Sequence, residues 1–248
     1  MNEYIILSNN FYEIYIDKKY EDFGKDVMNY STVKLKEYLN FFKEDKLLKK
    51  LKGSFFDNRK DFLTRIKYIA PNEGLPPEWA TGCFYGGEAQ ILVDKDNLNK
   101  KFRTLAHETF HIIFQKNIYE KFDIDRIVWL DESLAANFSG EVDEELTNGI
   151  FIEYIKKYLN KENLPKMNDL DFKKGNIKTE EYNAYHFFHI VGRYLRENMS
   201  NEELFEFIKN KKLILENGNT ILNDSLEYFK NKYKMVVNNE EINYKIKK

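Results

Sequence analysis

The sequence predicts an α+β fold, with a lobe of mixed strands and helices followed by an all-helical lobe. Short apolar runs bounded by Asn, Gly or Pro alternate with helical periodicity in the N-terminal part. After a strongly apolar helix near residue 109, helical patterns dominate. The predicted division is a mixed lobe over residues 1–118, a helical lobe over 119–235 and a charged tail over 236–248.

In the first lobe, a hairpin is predicted because Ser8-Asn9-Asn10 separates two short apolar runs. Asp57 is placed as an N-cap in front of a second helical pattern. The predicted elements are strands at 4–7 and 11–16, an amphipathic helix within 18–46, a strand at 54–56, a helix carrying Phe62, Leu63, Ile66 and Ile69, a loop at 71–77 and a strand at 89–93.

The second lobe is predicted from apolar residues at helical spacing, with no Gly/Ser linker and no internal repeat. Its predicted helices cover 130–139, 144–159, 180–197, 202–209 and 221–233.

Composition limits the class of protein. A hydrophobic content of 42% is ample for a packed core, and a net charge of −2 gives no reason to expect a nucleic-acid partner. The single cysteine, Cys83, excludes an internal disulfide and is expected to be a small packing residue. No signal peptide or membrane-spanning stretch is evident, so we expect a cytoplasmic protein without a membrane partner.

The segment His107-Glu108-Thr109-Phe110-His111 has the pattern H-E-x-x-H within a helical stretch. Residues i and i+4 share one face of a helix, so His107 and His111 can offer two imidazoles to one metal ion. Glu108 is rotated about 100° from His107, which places its carboxylate beside the metal rather than on it. Two histidines and a neighbouring glutamate are the arrangement of metal-assisted hydrolysis, and the expected ion is one Zn²⁺ per chain.

A simpler interpretation is that both histidines are ordinary helix residues. The chain has only four histidines, however, and two of them fall in this motif. The flanking residues are apolar on nearly every side of the helix, and burying imidazoles and a carboxylate there without partners would be costly. The motif and its flanks therefore favour a zinc site.

A catalytic zinc site needs a third protein ligand. Glu132 follows His111 after 20 residues, which is room for a turn and a second helix. Asp131 is a competing carboxylate, and an acidic pair near a helix N-terminus is also favourable without a metal. Glu132 is preferred because it shares a helix face with Ala135 and Ala136, whose small side chains permit close packing.

H-E-x-x-H followed at this distance by Trp129-Leu-Asp-Glu-Ser-Leu-Ala135 resembles the gluzincin metallopeptidases, in particular the peptidase MA-like group related to thermolysin and aminopeptidase N-like enzymes. The resemblance implies a thermolysin-like zincin domain with the motif helix between its two lobes. It also implies that His107, His111 and Glu132 bind zinc and that Glu108 is the general base of a peptidase.

Downstream, residues 182–195 resemble the family's helix Y-x-x-G-x-x-x-V-x-Y-L, whose first tyrosine stabilises the oxyanion in related aminopeptidases. Counting back from Tyr194 assigns this role to Tyr185, although Phe188 stands where a small residue is common. Tyr182 and His186 are the alternatives, and an aromatic stripe that belongs to the core is the simpler explanation.

Upstream, the turn Trp79-Ala-Thr-Gly82 and the following strand resemble the part of the family fold where a sheet edge borders the substrate cleft. The resemblance implies that the substrate backbone lies along Gly86, Gly87, Ala89 and Ile91, by main-chain pairing with an edge strand. A plain hairpin with a glycine turn is the alternative for the two glycines.

The expected function is zinc-dependent hydrolysis of peptide bonds. An endopeptidase is favoured, because no G-x-M-E-N-like amine-binding motif precedes the helix. One alternative is a regulatory peptidase acting on a specific repressor, because the segment from Glu132 to Phe138 also resembles E-x-x-A-N-x-F of ImmA/IrrE-type metallopeptidases. Another is a peptide-binding module without catalysis, which the presence of Glu108 disfavours.

Overall fold

A computed structural model describes residues 3–47, 49–72, 74–159, 161, 163–237 and 242–243. The chain forms two compact units, Met1–Phe114 and Gln115–Lys248. Strands and helices mix in the first unit, and in its described residues the second is helical apart from one short strand pair and an isolated bridge. The predicted α+β class is therefore confirmed.

The first unit contains five strands and three α-helices within its described residues. They are β1 (Tyr4–Ser8), β2 (Tyr12–Asp17), α1 (Glu21–Phe41), β3 (Leu51–Phe56), α2 (Arg59–Ile69), β4 (Gly82–Tyr85), β5 (Glu88–Leu92) and α3 (Thr104–Phe114). The predicted hairpin, long helix and H-E-x-x-H helix are all present. The N-cap of α2 is Asn58, whose side chain accepts from the backbone N–H of Asp61, and not Asp57 as predicted. Asp57 instead forms an ion pair with Lys19 at 2.6 Å.

The sheet has the strand order β1-β2-β3-β5-β4. Strands β2, β3 and β5 run parallel, and β1 and β4 are antiparallel to their neighbours. Phe55 contacts Phe23 of α1, while Phe56 packs with Phe62 and Ile66 of α2. Because consecutive side chains of a strand point to opposite faces, α1 and α2 cover different faces of this sheet.

Helix α3 lies on the same face as α1 and is held at several points. Leu105 packs at Gly53 of β3, where a Cβ atom would come within 3.1 Å of Leu105 Cδ1. The hydroxyl of Tyr38 donates to the carbonyl of Ala106 at 3.2 Å, and the hydroxyls of Tyr12 and Thr109 are 3.1 Å apart. These contacts fix the rotation of α3, which decides where the motif side chains point.

The prediction that residues 86–91 form a sheet edge is wrong. Strand β5 is interior, because Ala89 is paired with Gly53 of β3 on one side and with Phe84 of β4 on the other. The edge strand beside β5 is β4, whose first residue, Gly82, was predicted to lie in a turn; the other edge of the sheet is β1. Gly86 and Gly87 have φ values of 55° and 82° and form the β4–β5 turn, as the hairpin alternative proposed.

The second unit begins with a π-helix at Gln115–Glu120. Its α-helices are α4 (Val128–Ser139), α5 (Glu141–Thr147), α6 (Ile150–Leu159), α7 (Ala184–Asn198), α8 (Asn201–Ile208) and α9 (Lys211–Lys232). The single helix predicted over 144–159 is two helices, because the chain turns at Asn148 and Gly149, where Gly149 has a φ of 77°. Helix α9 begins ten residues before its predicted start.

Helices α4 and α7 of the second unit pack closely against each other. A Cβ atom at Gly192 of α7 would overlap with the carbonyl oxygen of Ser133 and with Nδ2 of Asn137 on α4. The Asn137 amide donates to the carbonyl of Ser133 at 2.9 Å and to that of His189 at 3.2 Å. These contacts tie the helix that carries Glu132 to the helix that carries Tyr185.

The predicted tail lies largely outside the described residues. Val236–Val237 pairs with Ile242–Asn243 as two short antiparallel strands, β6 and β7. None of the helices in the described parts of the chain has both the length and the apolar character needed to cross a bilayer.

Candidate metal centre

The two histidines of the motif lie on one side of α3. The ring centroids of His107 and His111 are 4.8 Å apart, as expected for residues i and i+4. Leu105 faces the sheet and Phe110 faces α1, where its ring lies 5.3 Å from that of Tyr38. The histidines occupy the remaining side of the helix, and His107 is only 8% exposed.

Glu108 is directed toward the edge strand of the sheet. A Cβ atom at Gly82 of β4 would lie 2.7 Å from Oε1 of Glu108 and 2.8 Å from Cγ2 of Thr104. Glu108 is only 7% exposed, so its carboxylate is held against the main chain of β4.

The turn that leads into β4 is held by two basic residues of the first unit. Arg59 donates to the carbonyls of Ala80 and Pro77 at 2.5 and 2.8 Å, and Lys101 donates to the hydroxyl of Thr81 at 2.6 Å. These contacts fix the backbone immediately before Gly82. The turn that ends at Gly82 is therefore held in place by side chains from other parts of the first unit, which its own sequence did not indicate.

Cys83 follows Gly82 in β4 and packs against the cluster of Phe56, Phe62 and Ile66. Burial, and to a smaller extent the charge of Glu108, raise the pKa of the Cys83 thiol well above its usual range. A thiol with a raised pKa is a poor nucleophile, which agrees with the expected packing role.

Glu132 lies in the second turn of α4 and is only 4% exposed. The guanidinium of Arg126 donates from Nη2 to Oε1 of Glu132 at 2.8 Å and from Nε to Oδ2 of Asp131 at 2.5 Å. Burial alone would lower the pKa of Arg126, but the charges of Asp131 and Glu132 outweigh burial and raise it. One arginine thus contacts both carboxylates that the sequence offered as a third ligand.

Among the described residues, one group of His, Cys, Asp and Glu side chains could hold a metal ion: His107, His111 and Glu132. One donor atom of each lies within 4.8 Å of the other two, and Asp131 is not part of the group. Donors on one zinc ion at about 2.1 Å are about 3.4 Å apart in a tetrahedral site, which is of the same order as the spacing of these donor atoms. Two imidazoles and one carboxylate are also the donor set of catalytic zinc sites.

The three candidates for the oxyanion donor have different surroundings. Tyr185 is the second residue of α7, is partly exposed, and its ring lies 5.6 Å from that of Phe188. His186 is stacked on Tyr154 at 3.8 Å, and its Nδ1 lies 2.9 Å from the hydroxyl of Tyr158. Tyr182 lies before α7 and packs on Phe187 at 5.8 Å.

His186 is therefore engaged in local packing. Burial, with smaller contributions from neighbouring cationic groups, lowers its pKa to about 4. A neutral imidazole already in contact with a tyrosine hydroxyl is less suited to donate a proton or hydrogen bond to a substrate than a phenol is. Among the three candidates, this leaves the tyrosines, of which Tyr185 lies on the helix tied to α4.

Sequence reasoning missed two residues of this region, Gly82 and Arg126. For Gly82 a signal existed, because a glycine within a strand often marks a close approach of the backbone to another group. Arg126 carried no such signal. A single arginine five and six positions before two acids resembles any surface ion pair until the burial of the acids is known.

In comparisons with known proteins, no known family matches the chain, and no curated protein and no solved structure is significantly similar to it.

Proposed function

We propose that this protein is a zinc-dependent peptidase of the gluzincin type, with a thermolysin-like arrangement of its active site. His107, His111 and Glu132 would hold one zinc ion per chain, and Glu108 would act as the general base. The observation that carries the proposal is the cluster of their three donor atoms, all within 4.8 Å of one another. The carboxylate of Glu108, held at the edge strand beside this motif, is the supporting observation.

Zinc in such a site supplies Lewis acidity that makes water a nucleophile at neutral pH. Glu108 would accept a proton from the attacking water and pass it to the nitrogen of the leaving amine. The hydroxyl of Tyr185 would donate a hydrogen bond to the carbonyl oxygen of the scissile bond as negative charge develops there.

The substrate is proposed to be an extended polypeptide, with endopeptidase cleavage favoured. Strand β4 lies at the end of the sheet, so an extended chain could add to it by main-chain hydrogen bonds. A chain paired there would pass Gly82, where the carboxylate of Glu108 lies. This replaces the expected contact with Ala89 and Ile91, whose main chain is paired on both sides.

The first test is the metal content of purified wild type, His111→Ala and His186→Gln. About one zinc per chain is expected in the wild type and in His186→Gln, because His186 is not in the donor group. His111→Ala removes one of three ligands and should lose the metal. No zinc in the wild type, even after zinc is added, would rule out the proposed site.

The second test is hydrolysis of an unfolded protein substrate by wild type and Glu108→Gln. The variant keeps all three ligands, so it should bind zinc normally while turnover falls by about 10²- to 10⁴-fold. Full activity in Glu108→Gln would exclude the base assignment. Cleavage of a single cellular repressor with no general substrate would favour the regulatory alternative, and peptide binding without hydrolysis would favour the binding module.

A further inference from the structure

Arg126 forms a fork between the two adjacent carboxylates at the start of α4. Its Nε is 2.5 Å from Oδ2 of Asp131, and its Nη2 is 2.8 Å from Oε1 of Glu132. Both carboxylates are almost fully buried, while the guanidinium is partly exposed and lies 5.7 Å from the ring of Phe172. The fork uses two different nitrogens, so it fixes the orientation of the guanidinium plane as well as its position.

We propose that Arg126 is a positioning residue for the metal ligand Glu132, with Asp131 as its anchor. This rests on the proposed function, in which Glu132 is a zinc ligand. Arg126 holds the Glu132 carboxylate through Oε1, and a carboxylate held at one oxygen can present the other to a cation. Asp131 is engaged by Nε of the same arginine, so its role is to hold Arg126 rather than to bind the metal.

The backbone from which Arg126 extends is itself fixed. The hydroxyl of Tyr119 accepts a hydrogen bond from the N–H of Ile127 at 3.2 Å and lies 3.3 Å from its carbonyl oxygen, to which it donates. Ile127 is the N-cap of α4, so Tyr119 holds both main-chain polar groups of the residue at which the helix begins. The fork therefore starts from an ordered backbone position, as an orienting contact requires.

Arg126 has two opposite effects on metal affinity. Its positive charge near a ligand disfavours a second cation, so removal of charge alone would tighten metal binding. Its hydrogen bond orients the ligand, and loss of a contact that orients a metal ligand commonly weakens affinity 10- to 100-fold. The sign of the change in affinity therefore distinguishes a positioning role from a purely electrostatic one.

The test measures Zn²⁺ affinity of the full chain by competition with a chromophoric chelator, and records absorption spectra of the Co²⁺-loaded proteins. Arg126→Ala is expected to bind Zn²⁺ 10- to 100-fold more weakly, with Co²⁺ bands changed in position or intensity. Arg126→Lys keeps the positive charge but loses the fork, so its Zn²⁺ affinity should fall at least as far as that of Arg126→Ala. If Arg126→Ala does not fold, the Zn²⁺ affinity of Arg126→Lys still tests the positioning role.

Arg193→Ala is the matched control. Arg193 also joins two carboxylates, with Nη1 at 2.7 Å from Asp143 and Nε at 2.7 Å from Glu197, and neither is in the donor group. Its removal should change thermal stability without changing Zn²⁺ affinity or the Co²⁺ spectrum. A purely structural effect of losing an arginine that joins two carboxylates would appear in both variants.

Unchanged or tighter Zn²⁺ binding in Arg126→Ala, or an equal loss in Arg193→Ala, would overturn the positioning role. If His107→Ala abolishes binding while both Arg126 variants bind like the wild type, the proposed zinc site stands and only this inference fails. If the wild type binds no Zn²⁺, the proposed function and this inference fail together.

Discussion

Gly82 and Glu108 come so close that a Cβ atom on the glycine would lie 2.7 Å from Oε1 of the glutamate. Gly82 is in the edge strand, and Glu108 follows the first histidine of the H-E-x-x-H motif. Position 82 thus has to lack a side chain for the carboxylate to rest against the main chain of the edge. This contact places the carboxylate of Glu108, the proposed general base, at β4, the strand with which the substrate is proposed to pair.

Gly82→Ala should reduce peptide hydrolysis while leaving zinc bound. The added methyl group would displace the Glu108 carboxylate, and a displacement of about 1 Å at a reacting group can cost about 100-fold in rate. The measurement is kcat for an unfolded protein substrate together with zinc content. Gly74→Ala is the control, because no atom lies within 4 Å of its added Cβ. Equal activity in both variants would contradict the importance of this contact.

Tyr185→Phe should lower kcat by about 10- to 1000-fold with little change in zinc affinity, because it removes one hydrogen-bond donor from the developing oxyanion. The same substitution at Tyr182 serves as the comparison. Steady-state kinetics of both variants decide between them. A larger loss of kcat in Tyr182→Phe would move the oxyanion role to that residue.

Gly192→Ala should destabilise the second unit by about 3 kcal/mol or more, since a methyl group there overlaps with the backbone of α4. The melting temperature is then expected to fall by roughly 6–12 °C. Gly218→Ala is a milder comparison, because its Cβ would meet Oδ1 of Asn168 at 3.1 Å, an atom at the end of a side chain. Thermal melts of both variants test this, and an unchanged melting temperature in Gly192→Ala would show that α4 and α7 pack less closely.

The folded protein should lose stability between pH 6.5 and pH 4 through His186. Burial lowers the pKa of folded His186 to about 4, whereas the unfolded imidazole titrates near 6.5. Above pH 6.5 both states are neutral, so His186 contributes no pH dependence. As the pH falls below 6.5, the unfolded state binds the proton first, and stability decreases until the folded imidazole is also protonated.

The expected loss through His186 is about 2 kcal/mol, reduced from the full linkage value because the side chain is partly exposed. Urea unfolding of the metal-free protein at pH 7 and pH 4.5 measures it. Other groups titrate in the same range, so the informative quantity is the difference from His186→Gln. Identical pH dependence in both proteins would show that folded His186 titrates normally.

The sequence predicted individual helices and strands better than it predicted which segments lie beside each other in the fold. The hairpin of β1 and β2, the long helix α1 and the helix of the motif follow from local patterns that the structure retains. The predicted helix over 144–159 failed at Gly149, because the amphipathic pattern continues across the turn while the backbone adopts a positive φ. Periodicity reports which side chains are buried, and it does not report a change in helix direction.

The position of strands within the sheet shows the same limit of local sequence patterns. The apolar strand that includes Ala89 and Ile91 was predicted to lie at an edge of the sheet, whereas Gly82–Tyr85 is the edge strand on that side. A strand with neighbours on both sides and a strand with one neighbour can have similar local sequences, because pairing depends on segments far away in the chain. Gly53 and Phe55, the partners of β5, precede it by 36 residues.

By itself, the sequence determined the α+β class and the candidate ligands His107, His111 and Glu132, because helix periodicity and motif spacing are local properties. Only the tertiary structure decided that Glu108 lies against Gly82, that β4 rather than β5 is an edge strand, and that Arg126 contacts both Asp131 and Glu132. The first two relationships depend on the rotation of a helix and the order of strands, whereas the third is a contact within one short segment whose two acids are buried. Packing between distant segments sets the helix rotation, the strand order and this burial, and no single segment encodes that packing.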